Sequence, residues 1–117
     1  MRLRELIELL GAEAVWGGEL CDGKKVETCV AADLMSDVLA FSRPGALLIT
    51  GLASVQSAHT ADVADLSAIL YVAGKRPAQA VLDLARQKEI PLLTTPLSMF
   101  DVCGRLYAAG LRAGVRK

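Results

Sequence analysis

Three short, unbroken apolar runs constrain this chain more than any other feature. They are Ala46-Leu47-Leu48-Ile49-Thr50, Ala68-Ile69-Leu70-Tyr71-Val72-Ala73 and Ile90-Pro91-Leu92-Leu93-Thr94. A strand wetted on one face alternates apolar and polar residues. A run without alternation suits a strand covered on both faces, as in a parallel sheet. Parallel neighbours need crossovers, and the intervening segments have helical spacing. One spans residues 54–65, and another begins near Pro77 and ends near Lys88, with Val81, Leu82, Leu84 and Ala85 inward. The spacing predicts βαβ units with right-handed crossovers.

The flanks extend this pattern. Leu3, Leu6, Ile7 and Leu10 form one helical stripe that Gly11 ends. Ala14-Val15-Trp16 reads as a short strand, Gly17 to Gly23 as a loop, and Val26 to Ala32 as a second extended segment. Asp33 is expected to cap a helix carrying Leu34, Val38, Leu39 and Phe41, with Asp37 in its first turn. A last helix starts near Ser98 and carries Met99, Phe100, Val102, Cys103, Leu106 and Tyr107. The expected fold is a three-layer α/β sandwich with a mostly parallel sheet of about five strands, in one domain over residues 1–117.

Composition narrows the function classes. Hydrophobic residues make up 53% of the chain and aromatics only 4%, so Leu, Val, Ile and Ala must build the core. In a domain this small such a surplus points to a subunit interface, most simply a homodimer. Thirteen basic and thirteen acidic side chains leave no field to attract nucleic acid or an acidic membrane. Arg105, Arg112, Arg116 and Lys117 are read as the basic end of a helix followed by a solvated tail. Cys21, Cys29 and Cys103, with one His, lack the spacing of a zinc site or a disulfide framework. The N-terminus has no signal core, and no run reaches the ~20 residues of a membrane span. A cytoplasmic location is expected.

Few residues carry chemistry. Gly18 to Lys25 nearly matches the phosphate loop GxxxxGK[ST], but Lys25 offers no hydroxyl and a strand follows where a helix is needed. It reads as a polar turn. Gly74-Lys75-Arg76-Pro77 lies between a strand and a helix, on the edge where open α/β sheets bind ligands. Its two cations and the helix start suit an anion; a solvated turn is the other reading. Thr50-Gly51-Leu52-Ala53-Ser54 and Thr94-Thr95-Pro96-Leu97-Ser98 belong on the same edge. There Ser54 and Ser98 are expected to cap helices. The candidate ligand contacts are therefore Thr50, Gly51, Ser54, Lys75, Arg76, Thr94 and Thr95. His59 reads as a surface or interface residue, Cys103 as core and Trp16 as core or interface. No catalytic constellation and no metal site emerges.

The order of motifs resembles the DRTGG-domain family, which is similar to the N-terminal domain of HPr kinase/phosphorylase. The resemblance is carried by Ala32 to Ala40, Gly45 to Thr50, Ala68 to Pro77, Ile90 to Phe100 and Asp101 to Leu111. One departure stands out. Lys24 to Ala32 occupies the place of the name-giving D-R-T-G-G; Thr28 is the candidate match for its Thr, and the Gly pair is absent. The resemblance implies a regulatory or ligand-sensing module, not an enzyme, with an adenine nucleotide or phosphate as the possible ligand and no other cofactor. It equally implies the alternative of an accessory subunit docking a redox enzyme of the hydrogenase type.

Overall fold

The computed structural model of the chain describes residues 1–114. Its strands are β1 (Glu13–Trp16), β2 (Thr28–Ala31), β3 (Leu47–Thr50), β4 (Ala68–Tyr71), β5 (Leu92–Thr94) and β6 (Arg112–Ala113). Its α-helices are α1 (Leu3–Leu10), α2 (Met35–Phe41), α3 (Val55–Val63), α4 (Gln79–Lys88) and α5 (Met99–Ala108). The strands form one sheet in the order β1-β5-β4-β3-β2-β6. β1 runs antiparallel to β5, and the other neighbouring pairs are parallel. The mostly parallel three-layer sandwich expected from the apolar runs is therefore the observed fold.

Alternation along buried strands explains the layers. Leu47, Ile49, Leu70 and Leu93 point to one face, where they pack with Leu3, Leu6 and Leu10 of α1 and Val102 and Leu106 of α5. Leu48, Ile69, Tyr71 and Leu92 point to the other, against Met35, Val38, Ala58, Ala61, Val81 and Ala85 of α2, α3 and α4. Every residue of β3, β4 and β5 is buried. A polar contact sealed inside ties β4 to α3: the Tyr71 and Ser57 hydroxyls lie 2.8 Å apart. Among the described residues no helix is long and apolar enough to cross a membrane.

The structure departs from the sequence expectations at several points. A sixth strand, β6, extends the sheet beyond β2; it has two exposed residues and so no apolar signature. Residues Gly18–Gly23 form a 3-10 helix with Cys21 buried, and Arg4 of α1 holds it through Asp22 at 2.6 Å and the Gly18 carbonyl at 2.6 Å. Asp33 does not cap α2. The position before Met35 is Leu34, without a side-chain cap, while Asp37 lies in the first turn as expected. Ser54 precedes α3 but makes no side-chain cap, whereas Ser98 accepts from the Asp101 amide at 3.1 Å. α4 starts at Gln79, two residues after Pro77. Cys103, read as core, is half-buried. Arg105 lies in the last turn of α5 as expected, and Arg112 is in β6; Arg116 and Lys117 lie outside the described residues.

A doubly buried sheet makes a sharp stability prediction. Leu70 is fully buried at the sheet centre, so Leu70→Ala should cost about 2–5 kcal/mol. Phe100, 86% exposed, should change stability by less than about 0.5 kcal/mol as Phe100→Ala. Urea denaturation of the two variants checks both.

Candidate functional site

The carboxyl ends of β2, β3, β4 and β5 open onto one rim. β4 is followed by α4 on one face of the sheet, and β5 by α5 on the opposite face. These two strands are neighbours, so the chain changes face between them. Loops that leave in opposite directions part at this point, and open α/β sheets place ligands there. The rim has a crevice of about 170 Å³ at this position, lined by Gly11, Glu13, Gly74, Arg76, Thr94, Thr95 and Pro96.

The crevice walls are tightly laced. The Ala73 amide donates to the Leu97 carbonyl at 2.7 Å, and the Gly74 amide to the Thr95 carbonyl at 2.9 Å. Ala73 and Gly74 are both left-handed, with φ of 54° and 70°. Gly74 adopts this freely, whereas for Ala73 it costs about 1–2 kcal/mol. The Thr94 hydroxyl donates to the Lys75 carbonyl at 2.7 Å. The Thr95 hydroxyl donates to the Leu10 carbonyl of α1 at 2.8 Å. The two threonines thus hold the loop ends in place. Arg76 reaches across to the Glu13 carboxylate of β1, with contacts of 3.0 and 3.4 Å. The hydrogen bond from Arg76, then its charge, pulls the Glu13 carboxyl below its ordinary value. Both side chains are more than half exposed, so water and salt screen the pair. Lys75 is exposed, and its ammonium has no hydrogen bond or ion pair among the described residues.

The seven sequence candidates fall into two groups. Arg76, Thr94 and Thr95 meet in the crevice, with Lys75 adjoining it. Thr50, Gly51 and Ser54 lie at the end of β3, on the far side of β4 from β5. A residue read only as a cap organises this second group. Asp33 Oδ1 accepts from the Thr50 hydroxyl at 3.0 Å and the Gly51 amide at 2.7 Å, joining the ends of β2 and β3. The Thr50 oxygen in turn accepts from the Leu52 amide at 3.1 Å. Asp33 was legible as a polar residue after an extended segment; its partner was not. Glu13 carried no sequence signal at all. His59 is exposed, as expected. Trp16 is half-buried against the core on the α2, α3 and α4 side. Among the described residues no cluster of three or more His, Cys, Asp or Glu is placed to hold a metal.

A model of the DRTGG domain matches residues 5–109. The chain belongs to the DRTGG domain family. The DRTGG chain is also similar to the CBS and DRTGG domains of the regulatory region of a Clostridium perfringens pyrophosphatase, solved in complex with its activator, diadenosine tetraphosphate. The two share 22% sequence identity with a TM-score of 0.71, over 98% of this chain and 50% of that one. This likeness carries the fold, and the DRTGG chain spans half the length of that structure. No curated protein matches it in sequence.

Two outcomes test this geometry. Asp33→Ala removes the acceptor of the buried Thr50 hydroxyl and should cost about 1–3 kcal/mol in a urea melt. The second concerns the thiols. Burial, and then the neighbouring Cys103, push the Cys29 thiol up to about 12. The folded state therefore favours the protonated thiol. The unfolded chain loses this proton near its ordinary value of 9, so stability is fully present below that pH and falls as pH rises from 9 to about 12. Melts at pH 8 and pH 10.5 should show this decline, and Cys29→Ala should reduce it.

Proposed function

We propose that this DRTGG domain is a non-catalytic regulatory module that senses a phosphate-bearing ligand, an adenine nucleotide or a smaller anion, at the rim between β4 and β5. The observation that carries this reading is the position of Lys75 and Arg76 at the point where the chain changes face. Ligands of open α/β sheets lie there. An exposed, unpaired ammonium and a guanidinium held only by a screened surface pair supply the attraction. The first turn of α4 has no capping side chain, which leaves its Gln79 and Ala80 amides without a side-chain partner near the same loop. Thr94 and Thr95 shape the receiving loops, and Thr50, Gly51 and Ser54 extend the rim toward longer ligands. The crevice suits a phosphate group better than a whole nucleoside, so the rest of a nucleotide would lie along the rim. The Clostridium perfringens relative, whose regulatory region binds a dinucleotide activator, supports a sensing role.

The surplus of exposed apolar side chains supports action as a homodimer. It also favours a second reading, in which the domain is an accessory subunit that docks a redox enzyme of the hydrogenase type. Leu34, Phe41, Phe100 and Tyr107 are each more than half exposed, a large apolar display for a small domain. A stoichiometric enzyme partner co-purifying from the native host, with no nucleotide response, selects that reading.

Thermal shift separates the two. AMP, ADP, ATP, acetyl phosphate and inorganic phosphate are titrated against the pure protein. A ligand at about 100 times its Kd adds about 2.7 kcal/mol of stability and raises Tm. The sensing reading predicts a saturable rise with at least one of them, and its loss in the Lys75→Ala, Arg76→Ala double variant. A flat response to all five contradicts it.

A further inference from the structure

A second concavity lies away from the rim, at the open edge of the sheet. β6 pairs with β2 only at Thr28 and Cys29, and no strand residue pairs beyond them among the described residues. α2 and α5 flank this gap from opposite faces of the sheet. The result is a slot of about 430 Å³ between α2 and α5, floored by the end of β2 and mostly apolar. That volume lies within the range of small-molecule sites.

The slot floor carries polar groups aimed outward. The Ala32 amide donates to the Ile49 carbonyl, toward β3. Strand groups alternate in direction, so the N–H and C=O of exposed Ala31 point the opposite way, into the slot. One donor and one acceptor sit side by side there, with no strand partner among the described residues. The walls carry aromatic faces from opposite layers: Phe41 from α2, 53% exposed, and Tyr107 from α5, 63% exposed. Arg112 marks one end. Its guanidinium lies 3.8 Å from the centre of the Tyr107 ring and donates to the Leu111 carbonyl at 2.7 Å and the Tyr107 carbonyl at 3.0 Å. These bonds leave further guanidinium N–H groups for an anion.

We propose that this slot is a binding site for a purine-sized heteroaromatic ring carrying an anionic tail. The ring faces meet Phe41 and Tyr107, and stacking of this kind tolerates many ring types. The ring edge meets the Ala31 N–H and C=O, which selects an acceptor beside a donor, as purine edges present. The tail meets Arg112, a guanidinium that suits phosphate or carboxylate geometry. The Cys29 and Cys103 thiols complete the lining as neutral, protonated groups and take no part in bond making. The site is independent of the β4–β5 rim, so either can fail without the other.

The test is an NMR titration of the 15N-labelled chain with AMP and with GMP. The proposal predicts saturable shifts of the Ala31 and Cys29 amides with at least one of them. Ribose 5-phosphate, which lacks the ring, should leave Ala31 unmoved. Phe41→Ala should weaken binding about tenfold or more, and Phe41→Trp should retain it. Phe41 is half exposed, so neither variant should unfold the chain. Shifts confined to the Gly74–Pro77 and Thr94–Ser98 loops would overturn the slot and leave the rim. No shift at Ala31 with either nucleotide at millimolar concentration overturns it, as does affinity unchanged by Phe41→Ala. Occlusion of the slot by a second copy, seen as a dimer that Phe41→Arg dissociates and that neither nucleotide disturbs, also overturns it.

Discussion

Burial of the central strands on both faces is the constraint from which the rest of this domain follows. Leu47 and Ile49 face one core while Leu48 between them faces the other, and Leu70 alternates in the same way with Ile69 and Tyr71. Such strands cannot be wetted on either side, so helices must cover both faces. α2, α3 and α4 cover one face in successive crossovers, and α1 and α5 cover the other. The chain must therefore change face once within the parallel strands, and it does so after β5. That change parts the loops after β4 and β5. The same need, met at the far edge by α2 on one side and α5 on the other, leaves a slot where β6 stops short. Both concavities are consequences of layering.

The apolar runs made the sheet and its layers legible because continuous burial leaves a continuous mark in sequence. Glycine at position 11 made the end of α1 legible, since its left-handed conformation suits the residue. β6 was not legible. Arg112 and Ala113 are exposed, and only their pairing with Thr28 and Cys29 makes them a strand. The role of Asp33 was hidden for a related reason. A capping residue and a residue bridging two strand ends look alike in one dimension, and the bridge to Thr50 and Gly51 spans strands that meet only in the fold. The rim loops could be named from their places after strands. Their division into a β4–β5 crevice and a separate β3 end needed the strand order. Phe41 and Tyr107 sat in helical patterns that suggested packing, yet their rings are largely exposed.

The polar groups near the rim divide into builders and receivers. Thr50, Thr94 and Thr95 donate their hydroxyl protons to Asp33 and to the carbonyls of Lys75 and Leu10, which ties the end of β3 to that of β2 and the end of β5 to that of β4 and to α1. Lys75 and Arg76 are the groups that the proposed sensing role assigns to an outside charge, and among the described residues the exposed Glu13 carboxylate competes for Arg76. An anion that displaced Glu13 would release β1, the antiparallel strand at the sheet edge, from the β4–α4 turn. In the proposed sensing role, that edge is where occupancy of the rim is passed on.

The most direct measurement of the central claim is a crystal structure of the protein with tungstate, an anomalous scatterer shaped like phosphate. The account predicts a strong anomalous peak at the β4–β5 rim, within contact of Lys75 Nζ and the Arg76 guanidinium. Peaks only elsewhere, or none at saturating tungstate, would contradict it.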